Sequence, residues 1–299
     1  MARAISVYDV LNDLTISATM EPYARAEIDM VLDELVRMKD LSDVLLIFDR
    51  GFVCFALMRL ILDQGGQFLI RAKSKLTVLN LLKKSGASQG IFNLKFRRAK
   101  RSVAKCKKYG LSTDPFLLRV IEVPGKGKDG PTYLLTSLLD TKEFPYEDFY
   151  DLYHQRWAVE ENYKRKKCRL EIENFTSKSP DGVLMDFHAK VFTENLAAAL
   201  AHAAMKKVEE DNHNRAARAR GGDASVYKIN FTQLISSFKN AVIHLLTSAN
   251  PRKFMVQLEE LWRSTLSLVR PDRHFERKHK GKHCQPKLQG YYISYKRTT

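Results

Sequence analysis

The sequence predicts an α/β fold, and three observations carry that expectation. Val44-Leu45-Leu46-Ile47-Phe48 is a continuous apolar run of β-forming residues, the pattern of a strand buried on both faces. The elements around it read in the order β-β-α-β-α-β, which belongs to an α/β or α+β core. From Tyr146 onward the periodicity becomes helical. At 299 residues, 44% hydrophobic and 28% charged, the chain has ordinary apolar content for one large domain or two, so wholesale disorder is not expected.

The elements follow in order. Ile5 to Leu11 reads as a strand, and Asn12-Asp13 as a hairpin-type turn. Leu14, Ile16, Ala18 and Met20 alternate with Thr15, Ser17 and Thr19, a half-buried strand. After Pro22 the period changes: Ile28, Val31, Leu32, Leu35 and Met38 share one helical face. The apolar run ends at Asp49-Arg50-Gly51-Phe52. A helix is expected over Phe52–Asp63, closed by Gly65-Gly66, then a strand over Gln67–Ala72.

Residues 75–140 read as a β-rich insertion, with strands over Phe116–Val123 and Thr132–Leu139 flanking a Gly/Lys turn. One helix is expected from about Tyr146 to Lys167. A second starts at Ser179-Pro180, a good cap and first-turn pair, and runs to about Val208. The polar Glu209–Ser225 stretch reads as a loop, and two amphipathic helices over about Thr232–Ser248 and Arg252–Val269 follow. The expected divisions are 1–74 (core, first part), 75–140 (insertion), 141–208 (core, second part), 209–229 (flexible loop), 230–272 (C-terminal helices) and 273–299 (basic tail).

Composition narrows the partners. There are 50 Lys and Arg against 34 Asp and Glu, a net charge of +16, which favours a polyanion. No apolar run approaches the roughly 18–20 residues that span a bilayer, and the N-terminus has no apolar signal core. The four cysteines Cys54, Cys106, Cys168 and Cys284 form no CxxC pair, so a disulfide framework or structural zinc is not expected and a reducing compartment is. His274, His279, His283 and Cys284 match no zinc spacing and sit among cations, so the tail reads as a basic arm.

Three features could carry chemistry. Asp49 stands at the C-terminal end of a buried strand, where catalytic groups of open sheets concentrate; it could equally cap the following helix. Tyr153, Arg156, Glu160, Tyr163 or Lys164, and Lys167 recur at helical spacing and would form one stripe. Such a stripe is either a solvated charged face or a carboxylate set among phosphate-gripping cations. The run Lys95 to Lys108 contains Lys95, Arg97, Arg98, Lys100, Arg101, Lys105, Lys107 and Lys108 and no acid, which suits phosphate-backbone contact better than a merely solvated edge.

These residues carry a family resemblance. Tyr153-x2-Arg156-x3-Glu160-x6-Lys167 resembles the Y-x2-R-x3-E-x6-K signature of cut-and-paste DDE transposases of the insertion-sequence-4 type. Asp49-Arg50-Gly51-Phe52 after an apolar strand resembles that family's second-aspartate motif, and the stretch Tyr150–Leu196 is similar in style. The resemblance implies an RNase H-like mixed-sheet core with a β-rich insertion and C-terminal helices. It implies that Asp49 and Glu160 are catalytic and ligate divalent cations, two Mg²⁺ or Mn²⁺ ions in the intact family site. It implies phosphoryl transfer that cuts and joins double-stranded DNA, transposon ends and target alike. Tyr153, Arg156 and Lys167 would hold the DNA end; on charge alone, Lys164 of the same stripe and Lys95, Arg97, Arg98, Lys100 and Arg101 of the basic run are further candidates for contact with DNA.

The sequence departs from the pattern at its start. The family's first aspartate lies on a strand that would precede Ile5, and Asp9 and Asp13 do not fall at its position. The core is therefore expected to lack its first strand, with Met1 an internal start or a fragment, and the chain alone is expected to cut DNA negligibly. Two rival readings are a non-catalytic DNA-binding regulator of transposition and an RNase H-like nuclease remnant. A homo-oligomer or a full-length transposase are the expected protein partners, no membrane is involved, and the setting is the bacterial cytoplasm and nucleoid.

Overall fold

A computed structural model describes residues 2–73, 76–96, 100–125, 130–218 and 225–269. The chain forms two compact units. The first comprises residues up to Val10 together with Ser17–Glu160; the second comprises Leu11–Ile16 and the chain from Glu161 onward.

The chain opens with β1 (Ala2–Asp9) and β2 (Leu14–Pro22), a two-stranded sheet whose turn holds Asp13 at φ 57°, a left-handed conformation that Asp tolerates better than most residues. α1 (Glu27–Met38) follows, and its buried Glu34 accepts hydrogen bonds from Ser17, Thr19 and Arg37. Then come β3 (Leu45–Phe48), α2 (Phe55–Asp63) and β4 (Gln67–Arg71). Gly65 and Gly66 end α2 as expected. Gly65 sits at φ 78°, and a Cβ on Gly66 would stand 2.8 Å from the Leu41 Cβ.

The 75–140 stretch departs from its expected β-rich character. It holds two helices, α3 (Thr77–Ser85) and α4 (Lys100–Lys108), besides β5 (Gln89–Leu94), β6 (Phe116–Val123) and β7 (Thr132–Thr136). Its strands do not form a sheet of their own. They extend the core into one five-stranded mixed sheet of order β3-β4-β7-β6-β5. β3 and β4 are parallel, with Leu45 opposite Gln67 and Phe48 opposite Ile70; the other pairings are antiparallel. The mixed α/β class is thus the one expected. Local sequence marks strands but not their partners, so this continuity is visible only in the folded chain.

Strand alternation sorts the sheet into two faces. Leu46, Phe68, Ile70, Leu118, Val120 and Leu135 pack with helices α1 to α3, while Leu69, Ile121, Val123 and Leu134 pack with Leu138 and Phe149. The helix expected over Tyr146–Lys167 is broken. A 3-10 turn at Tyr146–Asp148 leads into α5 (Phe149–His154), and α6 (Trp157–Arg169) begins after a tight turn. Arg156, Ala158 and Val159 donate backbone hydrogen bonds to Tyr153, Gln155 and Arg156, three residues back rather than four, which rephases the chain there.

In the second unit α7 (Pro180–Arg218) is 39 residues long and continues ten residues past its expected end, through much of the stretch read as a loop. β8 (Tyr227–Ile229), α8 (Phe231–Thr247), α9 (Pro251–Ser264) and β9 (Leu266–Leu268) complete the unit, so the expected last helix ends early and becomes a strand. Alanines 197, 201 and 204 of α7 meet Leu234, Phe238, Leu258 and Trp262 in its core. The Trp262 indole donates to the Ser237 hydroxyl at 2.8 Å, so the largest buried ring is also polar-satisfied. A second, polar core ties Leu11–Ile16 to this unit. The Lys166 ammonium donates to Thr15 Oγ1 (2.7 Å) and pairs with Glu194 (3.3 Å), Asn162 donates to Glu194 (3.0 Å), and Asn195 brackets the Thr15 backbone. The basic tail, its histidines and Cys284, and Lys126-Gly127-Lys128 lie outside the described residues.

Candidate functional site

Asp49 follows the last residue of β3 and opens a 3-10 turn over Arg50–Phe52. The turn is closed by the backbone, Phe52 N–H to Asp49 C=O at 3.0 Å, and by the Phe48 and Phe52 rings with centroids 5.4 Å apart. The Asp49 side chain makes no capping hydrogen bond. Of the two readings open to it, the capping one is therefore not realised, and its Oδ1 instead accepts from the Tyr153 hydroxyl at 3.4 Å.

Tyr153 arrives there because α5 lies on one face of the sheet. Phe149 is fully buried, and Tyr150, Leu152 and Tyr153 pack against the same buried cluster as Leu45 and Ile47 of β3, the strand that Asp49 follows. Arg156 follows in the turn between α5 and α6, its guanidinium 5.8 Å from the Tyr153 ring centroid and 5.7 Å from that of Trp157. It donates to Glu160 Oε1 at 2.7 Å. Its Nε is buried and has no hydrogen-bond partner among the described residues. Tyr153, Arg156 and Glu160 thus do not share one continuous helical stripe; the broken turn folds the first two toward Asp49.

The electrostatics bind these groups together. Burial chiefly, with the Asp49 charge, pushes the Tyr153 phenol up to about 12, against the opposing pull of Arg156 and Arg71. Burial works against the Arg156 charge, but the Glu160 hydrogen bond and the nearby Tyr153, Glu160 and Asp49 outweigh it, so the guanidinium is held more firmly protonated than usual.

Arg71 is the residue that sequence reasoning missed. It ends β4, whose Ile70 pairs with Phe48, so it stands beside Asp49 at the same C-terminal end of a parallel pair. The available signal was a cation closing an apolar strand next to the Asp49 strand, and using it requires the register.

The other expected residues divide. Lys164 and Lys167 lie on the part of α6 within the second unit, both well exposed, each paired to a surface acid: Lys164 to Glu161 at 2.5 Å and Lys167 to Glu173 at 2.7 Å. Lys95 and Lys100 are exposed. Arg97 and Arg98 lie outside the described residues, as does the side chain of Arg101. The basic run is not uniformly free, as its lack of internal acids suggested. Lys105 pairs with Asp29 and Lys108 with Asp33 (3.1 Å), both acids on α1, and the Tyr109 hydroxyl donates to Asp33 at 2.7 Å.

A hard divalent cation takes oxygen ligands, and Asp49 and Glu160 are of that type. Glu160, however, is already engaged by Arg156, and no group of three His, Cys, Asp or Glu side chains converges anywhere among the described residues. Asp13 is bound to Arg165 in the second unit, with a 2.8 Å contact. The described residues therefore do not make a complete two-ion donor set.

Comparison with known proteins completes the picture. No curated protein matches the chain. A cryo-EM structure of a piggyBac transposase synaptic complex with hairpin DNA aligns with a TM-score of 0.46 and 10% identity over 93% of this chain and 54% of that one. The chain thus spans about half the length of that transposase. No helix among the described residues is long and apolar enough to cross a membrane. The family described as Transposase DDE domain matches residues 2–196, well over half of the chain, and the protein belongs to that family.

Proposed function

We propose that the chain handles double-stranded DNA as a transposase of the insertion-sequence-4 type, whose full reaction is metal-dependent strand cleavage and transfer in cut-and-paste transposition. The observation that carries this reading is the Arg156 guanidinium. It joins the Asp49–Tyr153 pair to Glu160 and keeps one buried donor without a partner among the described residues. Guanidinium groups grip phosphate oxygens in a planar, bidentate way, so Arg156 is suited to a DNA-end phosphate. Tyr153 lines the same place, Lys164 and Lys167 can exchange weak surface pairs for phosphates, and Lys95 and Lys100 extend the backbone contact.

Asp49 and Glu160 are the candidate Mg²⁺ or Mn²⁺ ligands of the reaction. With two carboxylates gathered among the described residues rather than three, the chain alone cuts DNA negligibly. A homo-oligomer or an intact transposase is its natural protein partner, and its place of work is the bacterial nucleoid.

The test is binding of a duplex oligonucleotide, followed by fluorescence anisotropy across a salt series. Arg156→Ala is expected to weaken binding roughly tenfold and to reduce the salt slope by about one. Unchanged affinity and slope would contradict the role assigned to Arg156. The incomplete carboxylate set also favours a second reading, a non-catalytic DNA-binding regulator. It is supported if adding this chain suppresses excision by an active transposase, and set aside if excision is unaffected.

A further inference from the structure

Arg119 is the most buried cation among the described residues of the first unit, only 1% exposed. It lies on β6 in the column with Ile121 and Val123, which face the Leu69, Leu134 and Phe149 cluster. A guanidinium in an apolar layer loses its hydration, and nothing is gained over an aliphatic side chain of similar size unless its donors fix something in place.

What it fixes is one segment. Its Nε donates to the Gln89 side-chain oxygen at 2.9 Å, and a second donor reaches the same atom, which orients the fork from the neighbouring strand β5. Its Nη1 donates to the Phe144 carbonyl at 2.7 Å. Its plane lies 4.9 Å from the Phe149 ring centroid, and Asp140 contributes an attractive charge. The Tyr146 hydroxyl adds a parallel tie to the Glu122 carbonyl of the same strand at 2.6 Å. Apart from the Gln89 anchor, these ties all hold the stretch between Asp140 and Phe149, which leads directly into the helix carrying Tyr153. Phe149 and Tyr153 are one turn apart on that helix.

We propose that Arg119 is a positioning residue of the candidate site: its buried guanidinium fixes the Asp140–Phe149 segment and thereby holds the Tyr153 hydroxyl against Asp49. The proposal rests on the reading of Asp49, Tyr153 and Arg156 as the DNA-handling site. It assigns Arg119 no contact with DNA.

The test compares the wild type with Arg119→Met, which keeps the length but removes charge and donors, and with Arg119→Lys, which keeps the charge and one donor. Tyrosines are labelled with ¹³C at Cζ, Tyr153 is assigned through Tyr153→Phe, and its Cζ chemical shift, set by the packing and hydrogen bond of the hydroxyl, is read by NMR at neutral pH. Arg119→Met is expected to move the Tyr153 resonance toward the position of a solvent-exposed tyrosine, with Arg119→Lys between. Gln89→Leu, which frees the guanidinium without removing it, is expected to move the signal the same way and serves if the methionine variant does not fold. An unchanged Tyr153 signal in a folded Arg119→Met or Gln89→Leu protein would overturn the proposal.

Duplex binding at neutral pH is measured alongside, and a several-fold loss in Arg119→Met is expected. A shifted phenol with unchanged DNA affinity would keep the positioning role and fault the functional reading. An unshifted phenol would fault the positioning role whatever the DNA affinity.

Discussion

Two stretches of one helix, α6, put the same residue types to opposite uses. At its start Glu160 pairs with Arg156 and is 41% exposed; six residues on, Lys166 pairs with Glu194 and both side chains are 2% exposed. The first pair sits where water, phosphate or a cation can compete for either partner. The second is sealed with Thr15 and Asn162, and burial pulls the Lys166 ammonium down and the Glu194 carboxyl up despite their mutual attraction. An exposed ion pair contributes little to stability and can be traded for a ligand, whereas a buried one is costly to break. The contrast separates an ion pair whose partners are open to exchange from one that is sealed.

The largest effect is expected where that contrast is broken on the buried side. Lys166→Met leaves the buried Glu194 carboxyl without its cation, and should cost about 3–5 kcal/mol in a urea unfolding titration. The double variant Lys166→Met/Glu194→Leu should recover most of the loss. A single variant within about 1 kcal/mol of wild type would mean that Lys166 is not a sealed partner of Glu194.

On the exposed side the order reverses. Lys164→Ala/Lys167→Ala should leave stability within about 0.5 kcal/mol while weakening duplex binding roughly tenfold and flattening its salt dependence. A stability loss as large as that of Lys166→Met would erase the distinction.

Glu34 lies between the two cases, a buried carboxylate whose Arg37 partner is 61% exposed. Burial opposes its ionisation, but hydrogen bonds from Ser17 and Thr19 and the Arg37 charge outweigh it, so its folded pKa lies below the ordinary 4.5. Its contribution is therefore complete above about pH 4.5 and is lost as pH falls through the lower, folded value. Glu34→Gln should flatten the acid limb of the stability–pH curve below that point. An acid limb as steep as wild type would place the acid sensitivity elsewhere.

Local pattern made Asp49 legible, because an apolar strand ending in an acid needs only its own residues to be recognised. The spacing of Tyr153, Arg156, Glu160 and Lys167 was legible for the same reason. What the sequence concealed depends on distant partners. The break at Gln155–Arg156 accompanies the packing of α5 on the sheet, which brings Tyr153 to Asp49, 104 residues away in sequence. Arg71 joins the site only through the β3–β4 register. Lys166 looks identical to Lys164 and Lys167 until Thr15 and Glu194 close over it. Lys105 and Lys108 look like free DNA-binding cations until Asp29 and Asp33 arrive from α1. The Lys95–Lys108 run therefore offers fewer free cations than its composition promises.

The most direct test of the central claim, a DNA-handling site short of one carboxylate, is a supercoiled-plasmid nicking assay with this chain alone. It is run in Mg²⁺ and in Mn²⁺, beside Asp49→Asn as control. Wild type and control are predicted to bind the plasmid and leave it equally intact. Nicking by the wild type that Asp49→Asn abolishes would contradict the claim, and would show that Asp49 and Glu160 complete a working site by other means.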